Sequence, residues 1–116
     1  MEQSIKQKKI ASIVQEALNE IFQKTGLHMV QGGMMSIMGV TITPDLLIAR
    51  VALSFYNIPD TQKVMEELKV SYGEIRHQLG NKMKNQVRRI PELEFFKDDS
   101  LDRAFRIEEL LKKIQK

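Results

Sequence analysis

With 116 residues, 42% of them hydrophobic and 28% charged, the chain has the length and composition of one folded domain and not of a disordered segment. It contains no cysteine, which excludes disulfides, thiolate catalysis and cysteine-ligated zinc. No apolar run approaches the roughly 18 residues that span a bilayer. We therefore expect a single cytoplasmic domain over residues 1–116, and the net charge of +3 favours a polyanionic partner only weakly.

The first half of the chain predicts a helix followed by two strands. The helix runs from about Ser4 to Thr25, because apolar residues recur there at spacings of three and four, and Gly26 follows as a stop signal. In the first strand, one face is predicted to hold Ser36, Met38, Val40 and Ile42. In the second strand, the equivalent face holds Ala49, Val51, Leu53 and Phe55. The turn between them, 43–45, is short enough for an antiparallel hairpin.

The second half predicts two helices, a strand and a last helix. Asp60 or Thr61 can cap the first of these helices, and a helical pattern resumes at Ile75 and continues to about Val87. Because Ser71-Tyr72-Gly73 lies between the two patterns, we expect the helices to meet at a kink. Pro91 would end the second helix, and residues 92–97 alternate as a third strand. Asp98-Asp99-Ser100 would then cap a C-terminal helix.

This order predicts an α+β domain with its helices packed on one face of a three-stranded sheet. It is also the order of the type II KH fold (α-β-β-α-kink-α-β), an RNA-binding module. A standard KH domain grips nucleotides with a Gly-x-x-Gly loop between its helices. None of the six glycines of this chain are three apart, so a standard KH clamp is not expected.

A basic stripe is predicted on the helix that begins near Gly73. Positions 76, 80, 84 and 88 are four residues apart and therefore lie along one side of a helix. They read Arg76, Gly80, Lys84 and Arg88. Because the neighbouring row would dock on the sheet, the cations should be exposed and rigidly held, as a phosphate-binding surface requires. Solvated helix charges would give the same pattern, so the stripe alone does not decide the function.

Two longer segments make the sequence resemble a known family. They are SYGEIRHQLG at 71–80 and RRIPELEFFKDDS at 88–100, and the hairpin residues Val40, Asp45, Leu46, Ala49, Val51 and Phe55 agree with them. From about Lys6 to Leu111 the chain closely resembles the bacterial ribosome-binding factor A family. In that family a kink reading Ala-x-Gly replaces the Gly-x-x-Gly loop, and here the kink reads Ser71-Tyr72-Gly73.

The resemblance implies an assembly factor that binds the immature small ribosomal subunit. It implies contact with 16S rRNA, support of late maturation and 5′-end processing, and greatest importance in the cold. A ribosome-assembly GTPase is a candidate further partner. No catalysis, cofactor or metal is implied, and no catalytic residue is predicted from the sequence. Nothing in the sequence demands more than a monomer.

The predicted RNA-binding residues are basic and lie in two parts of the chain. The primary set is Arg76, Lys82, Lys84, Arg88 and Arg89, and the secondary set is Lys6, Lys8 and Lys9. The three lysines would serve equally well as a solubilising helix start. Ser71 and Gly73 would form the kink, and Gly73 and Gly80 would let an RNA backbone approach closely. The alternative function is a protein-interaction module that uses the hairpin edge or the Met34-Met35 region and touches RNA only incidentally.

Overall fold

A computed structural model describes residues 3–98 of the chain. Within them, helices and strands follow in the order α1 (Ile5–Thr25), β1 (Met29–Val30), β2 (Gly33–Ile42), β3 (Ile48–Tyr56), α2 (Thr61–Val70), α3 (Tyr72–Met83) and β4 (Glu92–Lys97). The predicted α+β class is therefore confirmed. The predicted C-terminal helix lies outside the described residues. None of the three helices within residues 3–98 is long and apolar enough to cross a membrane.

The sheet has four strands where three were predicted, in the order β1-β2-β3-β4. The predicted hairpin is present, since β2 and β3 are antiparallel, and β4 lies parallel to β3. The missed strand β1 has only two residues and pairs with the start of β2. Gln31 and Gly32 between them both have positive φ, 52° and 78°, which is the backbone of the tightest two-residue hairpin turn. Two residues are too few to show an alternating pattern, which is why β1 was not predicted.

A bulge in β2 overturns the predicted grouping of its side chains. The pairing with β3 shifts between Ile37 and Gly39, which inserts one extra residue into β2. Because a one-residue insertion switches every later side chain to the opposite face, Ile37 and Ile42 are both buried while Ser36 and Met38 are exposed. In β3, which has no such shift, the predicted inward residues Ala49, Val51 and Leu53 are all buried.

The helix boundaries follow from their caps. The Ser4 side chain and the Gln7 side chain form a reciprocal capping box at the start of α1, and Gly26 ends it with φ 80°. Asp60 caps α2 by accepting from the backbone N–H of Lys63. Ser71 separates α2 from α3, which confirms a break between the two helices at this position.

The core lies between α1, α3 and the inner face of the sheet. α1 packs on β2 and on α3. α3 contributes Ile75, Leu79 and Met83, the row predicted to dock on the sheet. α3 ends at Met83, earlier than the predicted Val87, because the chain turns there and the N–H groups of Gln86 and Val87 both donate to the Met83 carbonyl. The type II KH-like assignment itself stays a prediction.

Candidate nucleic-acid interface

An open cleft of about 450 Å³ lies where three segments of the chain converge. They are the first turns of α1, the turn between β2 and β3, and the segment that follows α3. Four cations line it: Lys6, Lys9, Arg88 and Arg89. Its apolar residues are Ile10, Ile13, Leu46, Leu47 and Val87. We call this site the basic cleft.

The four cations of the basic cleft are available to a ligand. All are exposed, and none makes an ion pair with any residue in the range 3–98. Among the described residues of the lining, Asp45 is the one carboxylate and Gln86 the one uncharged polar side chain, so four positive charges face one negative charge. Cations gathered without partners repel one another and raise the local positive potential, which attracts polyanions. The cleft is therefore suited to a ligand with several negative charges.

The first two cations are positioned by the start of α1. Lys6, Lys9, Ile10 and Ile13 are spaced three and four apart and so share one helix face. Between the lysines, the buried Gln7 side chain donates from Nε2 to the Ile42 carbonyl across 2.7 Å. Gln3 accepts from the Ile42 N–H across 2.9 Å. Both backbone groups of Ile42, at the end of β2, are thus bonded to residues at or just before the start of α1. These bonds fix the distance between the two lysines and the sheet.

The two arginines are positioned by Arg76, whose predicted exposure is wrong. Arg76 is partly buried, and its Nη2 donates to the Ile90 carbonyl across 3.0 Å. Its Nε is buried and has no hydrogen-bond partner within the described part of the chain. The segment carrying Arg88 and Arg89 is therefore held against α3. On the other side, the N–H of Glu92 donates to the Leu47 carbonyl across 2.8 Å.

Asp45 is held in the β2–β3 turn at the mouth of the cleft. Its Oδ1 accepts from the Thr43 hydroxyl across 2.6 Å and from the Leu47 N–H across 3.0 Å. The Thr43 hydrogen bond, followed by the Leu47 hydrogen bond, holds the pKa of the Asp45 carboxyl below its usual value of 3.8. Leu46 has φ 65°, a left-handed conformation that costs a branched residue about 1 to 3 kcal/mol. In this conformation the Leu46 side chain packs against the core and also lines the cleft.

Comparison with known proteins decides the family. A family model for ribosome-binding factor A matches residues 6–111. The chain belongs to the ribosome-binding factor A family. The ribosome-binding factor A of Prosthecochloris aestuarii is 41% identical over 110 residues, covering 94% of this chain and 88% of that protein. The ribosome-binding factor A of Cytophaga hutchinsonii is 34% identical over 112 residues, covering 97% of this chain and 84% of that protein.

Solved structures of ribosome-binding factor A share the fold. The crystal structure of the Thermus thermophilus protein gives a TM-score of 0.64 at 16% identity, covering 78% of this chain and 94% of that chain. A second structure is a Thermus thermophilus homology model fitted into the electron microscopy map of a complex between 30S and ribosome-binding factor A. It gives a TM-score of 0.59 at 17% identity, covering 77% of this chain and 91% of that chain.

Only some of the cations predicted to bind RNA line the basic cleft. Lys6 and Lys9 meet Arg88 and Arg89 in the cleft, although about 80 residues separate the two pairs in sequence. Lys8 is exposed on α1 and does not line the cleft. The basic cleft therefore includes only part of each cluster of basic residues in the sequence.

The remaining α3 cations lie outside the cleft. Lys82 is paired with Glu20 of α1, with Nζ and Oε2 2.7 Å apart. Lys84 lies exposed just past the end of α3, where a cation interacts favourably with the helix dipole. Both remain predicted RNA contacts, with Lys82 partly neutralised by its partner.

The two glycines predicted to let RNA approach closely, Gly73 and Gly80, have different surroundings. A Cβ at Gly80 would lie 3.8 Å from the Ile90 side chain, so Gly80 is half-buried beside the segment that follows α3. A Cβ at Gly73, beside Ser71 at the kink, would meet nothing within 4 Å. Close approach of a nucleic acid backbone therefore stays a prediction for both glycines, with more open space beside Gly73 than beside Gly80.

Sequence reasoning missed the apolar and acidic members of the site. Ile10 and Val87 had been assigned to helix patterns, and Asp45 and Leu46 to a turn and a family likeness. These residues come together because the chain turns back after α3, and the spacing of residues within one segment does not predict that turn. Within residues 3–98 no group of three or more histidine, aspartate or glutamate side chains is arranged to hold a metal ion.

Proposed function

We propose that this protein binds the 30S ribosomal subunit during its assembly, through contacts of the basic cleft with 16S rRNA. The observation that carries the proposal is the convergence of four unpaired cations from opposite ends of the described chain. RNA presents a regular array of phosphates, and each phosphate neutralised by Lys or Arg releases a condensed counterion. Membership of the ribosome-binding factor A family and the 30S complex of the Thermus thermophilus relative support the choice of RNA.

The same surface accounts for a role in maturation without catalysis. Folded RNA is recognised mainly through its shape, by phosphates and 2′-hydroxyls that meet a rigid basic surface. A protein that prefers one RNA conformer shifts the population toward it by the difference in affinity. In this proposal the protein favours a mature conformer of 16S rRNA, which supports late 30S maturation and 5′-end processing. The effect is greatest in the cold, where misfolded RNA rearranges slowly.

The oligomeric state, location and partners of the protein belong to the same proposal. It acts as a monomer in the cytoplasm and leaves the subunit when assembly is complete, with an assembly GTPase as a further partner. The cleft draws its cations from α1 and from the segment after α3 of the same chain, so one copy supplies the whole site.

Co-sedimentation with small subunits tests the proposal. The cleft variant joins Lys9→Glu with Arg89→Glu, and the matched control joins Lys24→Glu with Lys63→Glu, two exposed lysines outside the cleft. Both variants change the charge equally, so a general loss of positive charge affects them alike. We expect the cleft variant to lose at least about tenfold in affinity while the control stays within about twofold of wild type. Equal binding by both variants would remove the basic cleft from the proposal.

A protein-interaction module remains the second candidate, because the sheet face away from the helices is partly apolar and exposed. Met34 lies opposite Tyr56 in the pairing of β2 with β3, and their side chains are 45% and 72% exposed. Met35, also named in this hypothesis, is buried and cannot take part. Binding through this face would survive about 0.5 M salt and nuclease treatment, since apolar contacts are not screened. Binding through the basic cleft would be lost under both conditions.

A further inference from the structure

The basic cleft has a composition that phosphate binding alone does not explain. Five of its lining residues are apolar: Ile10, Ile13, Leu46, Leu47 and Val87. A surface that meets only phosphates of a paired helix has no need of an apolar floor. The cleft is also concave, and its volume of about 450 Å³ falls in the range of small-molecule pockets.

We propose that the basic cleft takes one unpaired nucleotide of the RNA, with its base on the apolar residues and its flanking phosphates on Lys6, Lys9, Arg88 and Arg89. This inference rests on the proposed function and adds the kind of RNA that the site selects. A base has two flat apolar faces and a polar edge, which match a lining whose apolar residues are mostly half-buried and whose cations are exposed. A base stacked inside a duplex cannot enter, so the site favours loops, bulges and strand ends.

Asp45, the carboxylate in a lining that also holds the Gln86 amide, supplies the acceptor that reads the edge of the base. Both hydrogen bonds that fix this carboxylate in the turn end on Oδ1, which leaves Oδ2 to accept from a ligand. A carboxylate only accepts hydrogen bonds, so it favours a base edge that offers donors. Guanine offers two adjacent donors on its Watson–Crick edge, N1–H and N2–H, and Oδ2 has two lone pairs with which to accept from both. Uracil offers one donor between two carbonyl oxygens, which the carboxylate repels. The site therefore prefers guanine and disfavours uracil.

The turn is built to hold this carboxylate in one place. The Leu46 N–H donates to the Thr43 carbonyl across 2.8 Å and the Leu47 N–H donates to Asp45 itself. Leu46 in its left-handed conformation contacts the core and also lines the cleft. A fixed acceptor beside a fixed apolar surface gives a bound base one orientation.

Stem-loop RNAs that differ at one position test the inference. The series has one fully paired stem and four stems with a single bulged G, A, C or U, each titrated by fluorescence anisotropy at about 0.1 M salt. We expect the bulged G to bind about tenfold more tightly than the bulged U and the paired stem, the discrimination typical of a two-donor contact. Equal affinity for all four bulges in wild-type protein overturns the inference without reference to any variant.

The variant Asp45→Asn measures how much the Asp45 carboxylate contributes to the preference for guanine. The asparagine oxygen can still accept from Thr43 and Leu47, while an NH₂ group replaces the second oxygen. The preference for G over U should fall from about tenfold to less than about threefold. The matched control Glu66→Gln removes an exposed carboxylate on α2, outside the cleft, and should keep the preference. An unchanged preference in a folded Asp45→Asn variant also overturns the assignment.

The failure of this inference can be told apart from the failure of the proposed function. If paired and bulged RNAs bind equally and small subunits still co-sediment with the protein, the proposed function stands and the nucleotide site falls. If neither the RNAs nor the subunits bind, the proposed function falls and the nucleotide site falls with it. Val87→Ala gives a second measure, because a smaller apolar floor should weaken bulged RNAs relative to the paired stem.

Discussion

Arg76 donates a hydrogen bond from Nη2 to the carbonyl oxygen of Ile90 across 3.0 Å, and so joins α3 to the segment that returns over it. That segment carries Arg88 and Arg89 to the basic cleft. Arg76 was predicted to contact phosphate, and in the structure it holds the segment from which Arg88 and Arg89 reach the cleft. Its charge strengthens the bond to the carbonyl, since hydrogen bonds from ionised donors are stronger than neutral ones.

Arg76→Ala should lower both stability and RNA affinity. The substitution removes a charge-assisted hydrogen bond and releases the segment that holds Arg88 and Arg89. We expect the free energy of unfolding, measured in urea, to fall by about 1.5 to 3 kcal/mol. Arg50→Ala is the control, because Arg50 is exposed and its contact with Glu94 is 3.8 Å long. That variant should lose less than about 1 kcal/mol. Equal losses in the two variants would contradict the role of Arg76 in holding this segment.

The salt dependence of RNA binding should report the number of cleft cations. Four phosphate contacts give a slope of about −3 to −4 in a plot of log K against log salt. Arg88→Gln combined with Arg89→Gln removes two contacts and should make the slope less steep by about 1.5. Lys24→Gln, at the far end of α1, should leave the slope unchanged. A slope that responds equally to Lys24→Gln would show that RNA binding is not confined to the cleft.

Much of the fold could be predicted because its signals are local. The α1 helix has a long apolar period and a stop at Gly26, and the hairpin has a clean alternation in β3 and a short turn. The break at Ser71 and the cap at Asp60 are likewise encoded within a few residues. The β2 bulge was missed because its effect appears only in the pairing with β3, where one inserted residue reverses the alternation.

The site was only half predictable because it is made by distant segments. Helical spacing places Arg76 beside the buried row of α3, but the spacing does not say whether solvent or the returning chain covers that side. The returning chain covers part of it, because the Ile90 carbonyl accepts from Arg76 and the Ile90 side chain lies near Gly80. The basic character of both sequence clusters was visible. The inclusion of Lys9 and the exclusion of Lys8, however, depend on the rotation of α1 about its axis, which the hydrogen bond from Gln7 to Ile42 fixes.

Glu20→Gln should raise the affinity for RNA. Glu20 lies 2.7 Å from Lys82, so its removal frees one cation at the end of α3 that the sequence predicts to contact RNA. We expect a gain of about two- to threefold in affinity, measured by anisotropy at low salt, and a loss of stability below about 1 kcal/mol, because both partners are exposed. Glu66→Gln is the matched control, with the same change of charge on α2. An equal gain in both variants would mean that overall charge, and not the release of Lys82, sets the affinity.

The Asp45 carboxylate should make the stability of the fold depend on pH in the acid range. Hydrogen bonds from Thr43 and Leu47 lower the pKa of this group in the folded protein below its value of 3.8 in the absence of such contacts. A depressed folded-state pKa contributes stability that is present above the unfolded value and is lost as the pH falls through the folded value. Asparagine at this position does not titrate, so this contribution is absent from the pH dependence of the Asp45→Asn variant.

Urea unfolding at a series of pH values between about 6 and about 3 measures this effect. The wild-type protein should lose more stability than Asp45→Asn as the pH falls below 3.8, and the two curves should run parallel above it. Glu66→Gln again serves as the control, because the Glu66 side chain is exposed and makes no hydrogen bond within residues 3–98. Parallel curves for wild type and Asp45→Asn over the whole range would show that the turn does not favour the ionised carboxylate, and the fixed acceptor in the cleft would lose its support.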